Sequence, residues 1–156
     1  MKKESLGSVE IRIPSQLRYL GLVDVVIQSY ASEFEWDADD VNNLSTSAIE
    51  AASNAMEHGN TFAAEKSVRL RIRGGGREIE IEVEDEGRGF DPAPFQREMS
   101  TEDLLKLRGR GIFIMRSFTD EVRFKRVPKG GMCVYLRKTG KPSPARSGNQ
   151  DVAGSS

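Results

Sequence analysis

The stretch Ile49–Asn60, IEAASNAMEHGN, decides how the rest of the chain is read. With the residues before it, apolar Val41, Leu44, Ala48, Ala51, Ala52 and Ala55 recur at spacings of three and four, the period of a helix with one buried side. Glu50, Asn54 and Glu57 fall on the opposite side, with His58 at its edge. Glu50, Asn54 and His58 are each four residues apart and stack one turn above the next. Gly59 comes at once after them, as expected of a residue that closes a helix. A carboxylate, an amide and an imidazole in one column could hold a metal and activate a hydroxyl. A solvated helix face would carry the same residues, so the decision rests on two glycine-rich stretches downstream.

Working outward toward the N-terminus, Asp37 or Asp39 in WDADD is suited to cap this helix. Before that, Leu20, Val23, Ile27, Tyr30 and Phe34 form the stripe of another helix, with Ser15 as its expected cap. Val9, Ile11 and Ile13 alternate with Glu10 and Arg12, which predicts a strand ended by Pro14. Toward the C-terminus, Val68, Leu70 and Ile72 alternate with arginines, and Ile79, Ile81 and Val83 alternate with glutamates. Gly74, Gly75 and Gly76 lie between them as a hairpin turn, so arginines and glutamates are expected to face each other on the wet side. The run from Ile112 to Phe118 predicts a short helix, Val122 and Phe124 a fourth strand, and Met132, Val134 and Leu136 a fifth.

Alternating strands give a sheet with one dry face, and each helix offers a single apolar stripe. The expected fold is therefore α/β: a two-layer sandwich, helices on one face of a mostly antiparallel five-stranded sheet, with a ligand groove between the layers. The domain is expected to span residues 1–138. Residues 139–156, mostly Pro, Ser, Gly and polar, are expected to be a disordered tail.

Composition narrows the chemistry. A chain of 156 residues with net charge -1 suits one domain and offers no global field for nucleic acid or a membrane surface. Cys133 is the sole cysteine and His58 the sole histidine, so a metal here is expected to be a hard ion on oxygen, such as Mg²⁺, rather than zinc. No apolar run approaches a membrane span and the N-terminus has no signal-peptide core, so a cytoplasmic setting is expected.

Two further stretches carry the site. Asp85 continues the inward phase of the third strand, so its carboxylate faces the dry side and needs a donor. Gly87 and Gly89 come next in DEGRGFD, where missing side chains let a flat ring approach the backbone. An exocyclic amino group, as on adenine, would satisfy Asp85. In LRGRGIFIM, Gly109 and Gly111 immediately precede a helix, a setting in which free amides bind anions. Lys106, Arg108, Arg110 and Arg116 surround it.

Taken in order, a Glu–Asn–His helix, an Asp-x-Gly-x-Gly loop and a Gly-x-Gly loop leading into a helix resemble the N, G1 and G2 boxes of the GHKL ATP-binding family. The resemblance runs from Val9 to Leu136, and its short length, N-terminal strand and EAASNAMEHGN are most similar to the RsbW-like branch of anti-sigma factors and serine kinases. It implies the GHKL sandwich with ATP between helices and sheet. It implies that Asn54 holds Mg²⁺, Glu50 is the base toward a serine hydroxyl, and Asp85 accepts the adenine amino hydrogen. Gly87 and Gly89 would shape the adenine pocket, Gly109 and Gly111 would cradle phosphates, and His58 would lie near the end of the pocket in a structural role. Arg108 and Arg110 are both candidates for the γ-phosphate. The implied activity is an ATP-dependent protein serine/threonine kinase of partner-switching type. Its substrate would be a STAS-domain anti-anti-sigma protein, a sigma factor its other client, and a homodimer among its assemblies. A nucleotide-dependent binder without catalysis, and a detached histidine-kinase catalytic domain acting on another chain's histidine, are the alternatives. A lid is expected over residues 98–108.

Overall fold

The computed structural model describes residues 6–88 and 110–144. Gly89, Arg108, Gly109 and the expected lid lie outside the described residues.

The elements run β1 (Leu6–Pro14), a 3₁₀ turn, α1 (Leu20–Ala31), a second 3₁₀ turn, α2 (Ala38–Asn54), a π turn (Ala55–Gly59), β2 (Ser67–Gly75), β3 (Glu78–Glu84), α3 (Arg110–Phe118), β4 (Glu121–Arg126) and β5 (Met132–Thr139). The five strands form one sheet in the order β1-β2-β3-β5-β4, and every neighbouring pair is antiparallel. The expected two-layer α/β sandwich is the fold observed.

Register comes from the alternation. Ile72, Ile81 and Leu136 lie side by side across β2, β3 and β5, and Leu70, Val83, Val134 and Phe124 form the next row. All seven are buried in one apolar cluster with Val23 and Ile27 of α1, the alanines of α2, and Ile112 and Met115 of α3. A slip of one residue would turn these rows into solvent, so the pattern itself fixes the pairing. On the open face Arg69, Arg71 and Arg73 stand opposite Glu84, Glu82 and Glu80, as the sequence predicts, and each pair is joined by an ion pair. The hairpin turn is shorter than expected: Gly75 already pairs with Glu78, leaving Gly76 and Arg77 as a two-residue loop with Gly76 at φ +67°.

Asp37 caps α2, its side chain accepting from the Asp39 amide, and Asp39 and Asp40 lie in the first turn, where negative charge is favoured. Ala48, Ala51 and Ala52 have no exposed surface, and their small size lets α2 sit close to the sheet and to α3. Ser15 does not cap a helix: its hydroxyl donates to the Lys66 carbonyl, while Gln16 occupies the cap position.

The chain is ordered beyond the expected boundary at Lys138. Gly140 packs beneath the indole of Trp36, and the amides of Asp37 and Ser143 donate to the carbonyls of Lys141 and Glu35. Lys138 itself is buried and pairs with Asp40 at 3.4 Å, and the Lys141 amide donates to the same carboxylate. Residues up to Pro144 thus strap the connection between α1 and α2 through backbone bonds, which a polar composition does not prevent.

Candidate functional site

α2 supplies the site's first wall. Glu50 and Asn54 are half-buried on one face of it, a turn apart, and neither side chain has a hydrogen-bond or ion-pair partner among the described residues. The helix does not continue unchanged to His58. From Ala55 to Gly59 it widens into a π turn, with the Asn60 amide donating to the Ala55 carbonyl at 2.8 Å. The extra residue rotates the downstream side chains, so His58 leaves the straight column that an α-helical spacing predicts. It still lines the cleft, with Nε2 3.7 Å from Glu57 Oε2.

Asp85 directly follows β3 on the inner side, 6% exposed. Its Oδ1 accepts from the Gly87 amide at 2.9 Å and the Met132 amide at 3.1 Å, while Oδ2 is turned toward the α-carbon of Gly59. Burial raises its pKa, opposed by the two amides. Three glycines make this packing possible. A methyl at Gly59 would overlap the Asp85 carboxylate, one at Gly87 the Gly59 carbonyl oxygen, and one at Gly131, already at φ +94°, the Asp85 carbonyl oxygen.

α3 supplies the remaining wall. Gly111 lies within α3 rather than before it. A methyl on Gly111 would sit 2.9 Å from Asn54 Nδ2 and 3.0 Å from Glu50 Oε2, so the start of α3 rests on these two side chains. Arg110 is exposed at the same end.

Between these walls opens a narrow cleft of about 50 Å³, lined among others by Asn54, His58, Asp85, Ile112, Met115 and Met132. It occupies the expected groove between helices and sheet. The structure therefore brings Asn54, His58 and Asp85 to the lining of one cleft, while Gly87 packs behind Asp85 against Gly59, and Gly111 and Glu50 meet beside Asn54, with Arg110 at the start of α3. Asn54 Oδ1 is a donor of the type a hard divalent cation takes, with its other ligands from phosphate and water. Sequence reasoning missed Asn60 and Gly131. Asn60 is fully buried and bonds the turn after Asp85, and Gly131 gives Met132 its approach to the carboxylate.

Helices over one face of an antiparallel sheet, with a carboxylate at the sheet end and an amide–carboxylate pair on the facing helix, define an α/β sandwich with a cleft between its layers. The chain belongs to the histidine kinase-like ATPase domain family, whose model matches residues 13–138. It is 30% identical over 144 residues to the serine-protein kinase RsbW of Bacillus subtilis, covering 87% of this chain and 88% of that one. It is 26% identical over 116 residues to the anti-sigma F factor of the same organism, covering 73% and 80%. The RsbU and RsbW domains of Rv1364c from Mycobacterium tuberculosis share the fold with a TM-score of 0.62 at 15% identity, over 88% of this chain and 33% of that one. Among the described residues, no helix is long and apolar enough to cross a membrane.

Proposed function

We propose that this chain is a cytoplasmic, Mg-ATP-dependent protein serine/threonine kinase of partner-switching type. Its phosphoacceptor is a STAS-domain anti-anti-sigma protein, with a sigma factor as its other client. Relatives named serine-protein kinase and anti-sigma factor support this reading. The observation that carries it is the pair Glu50 and Asn54 beneath the first turn of α3, without partners among the described residues.

In this reading Asp85 Oδ2 accepts from the adenine amino group while Gly87 and Gly89 leave room for the ring. Asn54 holds Mg²⁺, which when bound neutralises charge on the phosphates. Gly109 and Gly111 present amides to those phosphates, and Arg108 or Arg110 meets the γ-phosphoryl group. Glu50 takes the proton of the serine hydroxyl as its oxygen bonds to the γ-phosphorus and ADP leaves. Such chemistry asks a protein mainly for positioning and charge neutralisation.

The test separates transfer from binding. Glu50→Gln should keep ATP affinity within about two-fold and slow phosphoryl transfer by roughly 10²–10⁴-fold, the usual contribution of a general base. Asn54→Ala should impair nucleotide binding and transfer together. Radiolabelled transfer to a purified STAS partner, run beside calorimetric titration, measures both. Wild-type transfer by Glu50→Gln would remove Glu50 from catalysis. ATP-dependent partner binding with no transfer by the wild type would leave a binding regulator instead.

A further inference from the structure

We propose that Asn60 is a positioning residue for base selection: it fixes the Asp85–Gly87 turn against the end of α2 and so sets where the Asp85 carboxylate meets a purine. The proposal rests on the proposed function, in which Asp85 holds the adenine amino group.

Asn60 has no exposed surface. Its Nδ2 donates to Ser15 Oγ at 2.8 Å and to the Ser67 carbonyl at 2.9 Å, and its Oδ1 accepts from the Glu86 amide at 2.7 Å. The orientation of the side-chain amide admits no flip, because a backbone carbonyl can only accept and a backbone amide can only donate. Ser15 passes the constraint on by donating to the Lys66 carbonyl at 2.9 Å. One side chain therefore ties together the end of β1, the π turn, the start of β2 and the turn after β3.

The contact between the π turn and the Asp85 turn is continuous. The α-carbon of Gly59 faces the Asp85 carboxylate, the carbonyl of Gly59 faces the α-carbon of Gly87, and Asn60 bonds Glu86 between them. In a packed interior, a shift of one segment moves the other. Removing the Asn60 amide would leave the Glu86 N–H and the Ser67 carbonyl without this partner, a state that costs more than an ordinary hydrogen bond is worth. The turn would relax to recover partners and carry Asp85 with it. The pair Glu50 and Asn54 lies on the regular part of α2, before the π turn, and has no bond to Asn60. The expected loss therefore falls on recognition of the base and not on the phosphates.

The experiment measures binding of ATP and GTP with Mg²⁺, and of Mg-tripolyphosphate as a base-free probe, to the full chain. Asn60→Ala should weaken ATP binding roughly ten-fold, as expected for a lost buried hydrogen bond, and narrow the preference for ATP over GTP by about the same factor. Tripolyphosphate affinity should not change. In an Asp85→Asn background, Asn60→Ala should shift ATP affinity by less than about two-fold, because residues acting through one group are not additive. Ser15→Ala, a milder change to the same network, should act in the same direction by roughly two-fold and carries the test if Asn60→Ala does not fold.

A merely structural Asn60 would lower the melting temperature and leave the ATP-over-GTP preference of folded protein at the wild-type value. That result, or full additivity with Asp85→Asn, overturns the proposal. Equal losses of ATP and tripolyphosphate affinity would overturn it too. Those outcomes leave the adenine reading standing, whereas wild-type protein that prefers no adenine nucleotide overturns both.

Discussion

The two ends of the cleft are built differently. At the Asp85 end almost everything is backbone: glycines at 59, 87 and 131 without room for a methyl, and a carboxylate oxygen held by two amides. At the Glu50–Asn54 end the functional atoms are side-chain tips on one half-buried helix face, with no partner among the described residues. The first end is set before any ligand arrives. The second has no such internal bonding among the described residues. Recognition of a rigid flat ring suits the first arrangement, and transfer of a charged group between two molecules suits the second.

Paired glycine substitutions should give the largest contrast between the ends. In Gly87→Ala the new methyl meets the backbone oxygen of Gly59, which cannot move without the π turn. Overpacking against backbone should cost about 3 kcal/mol, the upper part of the usual range, and abolish nucleotide binding. In Gly111→Ala the methyl meets the ends of two flexible side chains at 2.9 and 3.0 Å. Alanine is also favoured over glycine in a helix by about 1 kcal/mol, which offsets part of the crowding. Chemical denaturation should therefore show Gly111→Ala within about 1 kcal/mol of wild type, with the loss confined to phosphoryl transfer. Equal destabilisation by the two changes would erase the distinction between a locked end and an open one.

An intermediate effect is expected from the C-terminal strap, which touches neither end. Ending the chain after Lys138 removes the backbone bonds to Glu35, Asp37 and Arg77 and the bonds from the Thr139 and Lys141 amides to Asp120 and Asp40, and uncovers the indole of Trp36. At about 0.5 kcal/mol per net hydrogen bond, the low end of the range because water can replace these partners at the surface, the five lost bonds should cost about 2.5 kcal/mol in thermal or urea unfolding. Ending it after Pro144 should leave the melting temperature unchanged, since the remaining residues lack the apolar content to offset the entropy of ordering them. Base preference should be unaffected in both truncations, because α2 is held at its N-terminus by the strap and at its C-terminus by Asn60. A change in base preference on truncation would show that the strap reaches the Asp85 end.

The legible and the illegible parts of the sequence divide along the same physical line. Side-chain patterns announced the five strands, the Arg–Glu pairing of β2 and β3, the Asp37 cap and the inward Asp85. Each is a consequence of period or of local chemistry. The π turn at Ala55–Gly59, the role of Asn60 and the strap were not legible. The π turn keeps the residue types of an α-helix and differs only in which carbonyl an amide finds. Asn60 looks like any polar residue after a helix-closing glycine, and only the folded chain brings Glu86 and Ser67 to it. The strap is held by main-chain bonds, on which composition is silent.

The smallest effect on stability, and the one that separates stability from function at a single residue, is expected at Asp85. Burial raises its pKa from the ordinary carboxylate value, opposed by two amide donors. The folded state therefore holds its proton to a higher pH than the unfolded chain does. Stability is accordingly greater below the unfolded pKa and falls as pH rises through the window up to the folded pKa. Above that window the fold carries a buried charge, which Asp85→Asn removes while its Oδ1 can still accept from Gly87 and Met132. Asp85→Asn should thus melt at or slightly above the wild-type temperature at pH 7, and lose the part of the pH dependence that Asp85 supplies. Adenine binding moves the other way, because the acceptor must be ionised. ATP affinity in the wild type should weaken as pH falls through the raised pKa of Asp85. In Asp85→Asn, ATP should bind weakly at every pH, since the side chain can turn an NH₂ toward the adenine amino group. Calorimetric titrations and melting curves across this range decide the matter. A variant that melts lower yet binds ATP normally would make Asp85 a structural carboxylate and end the claim that the locked end reads the base.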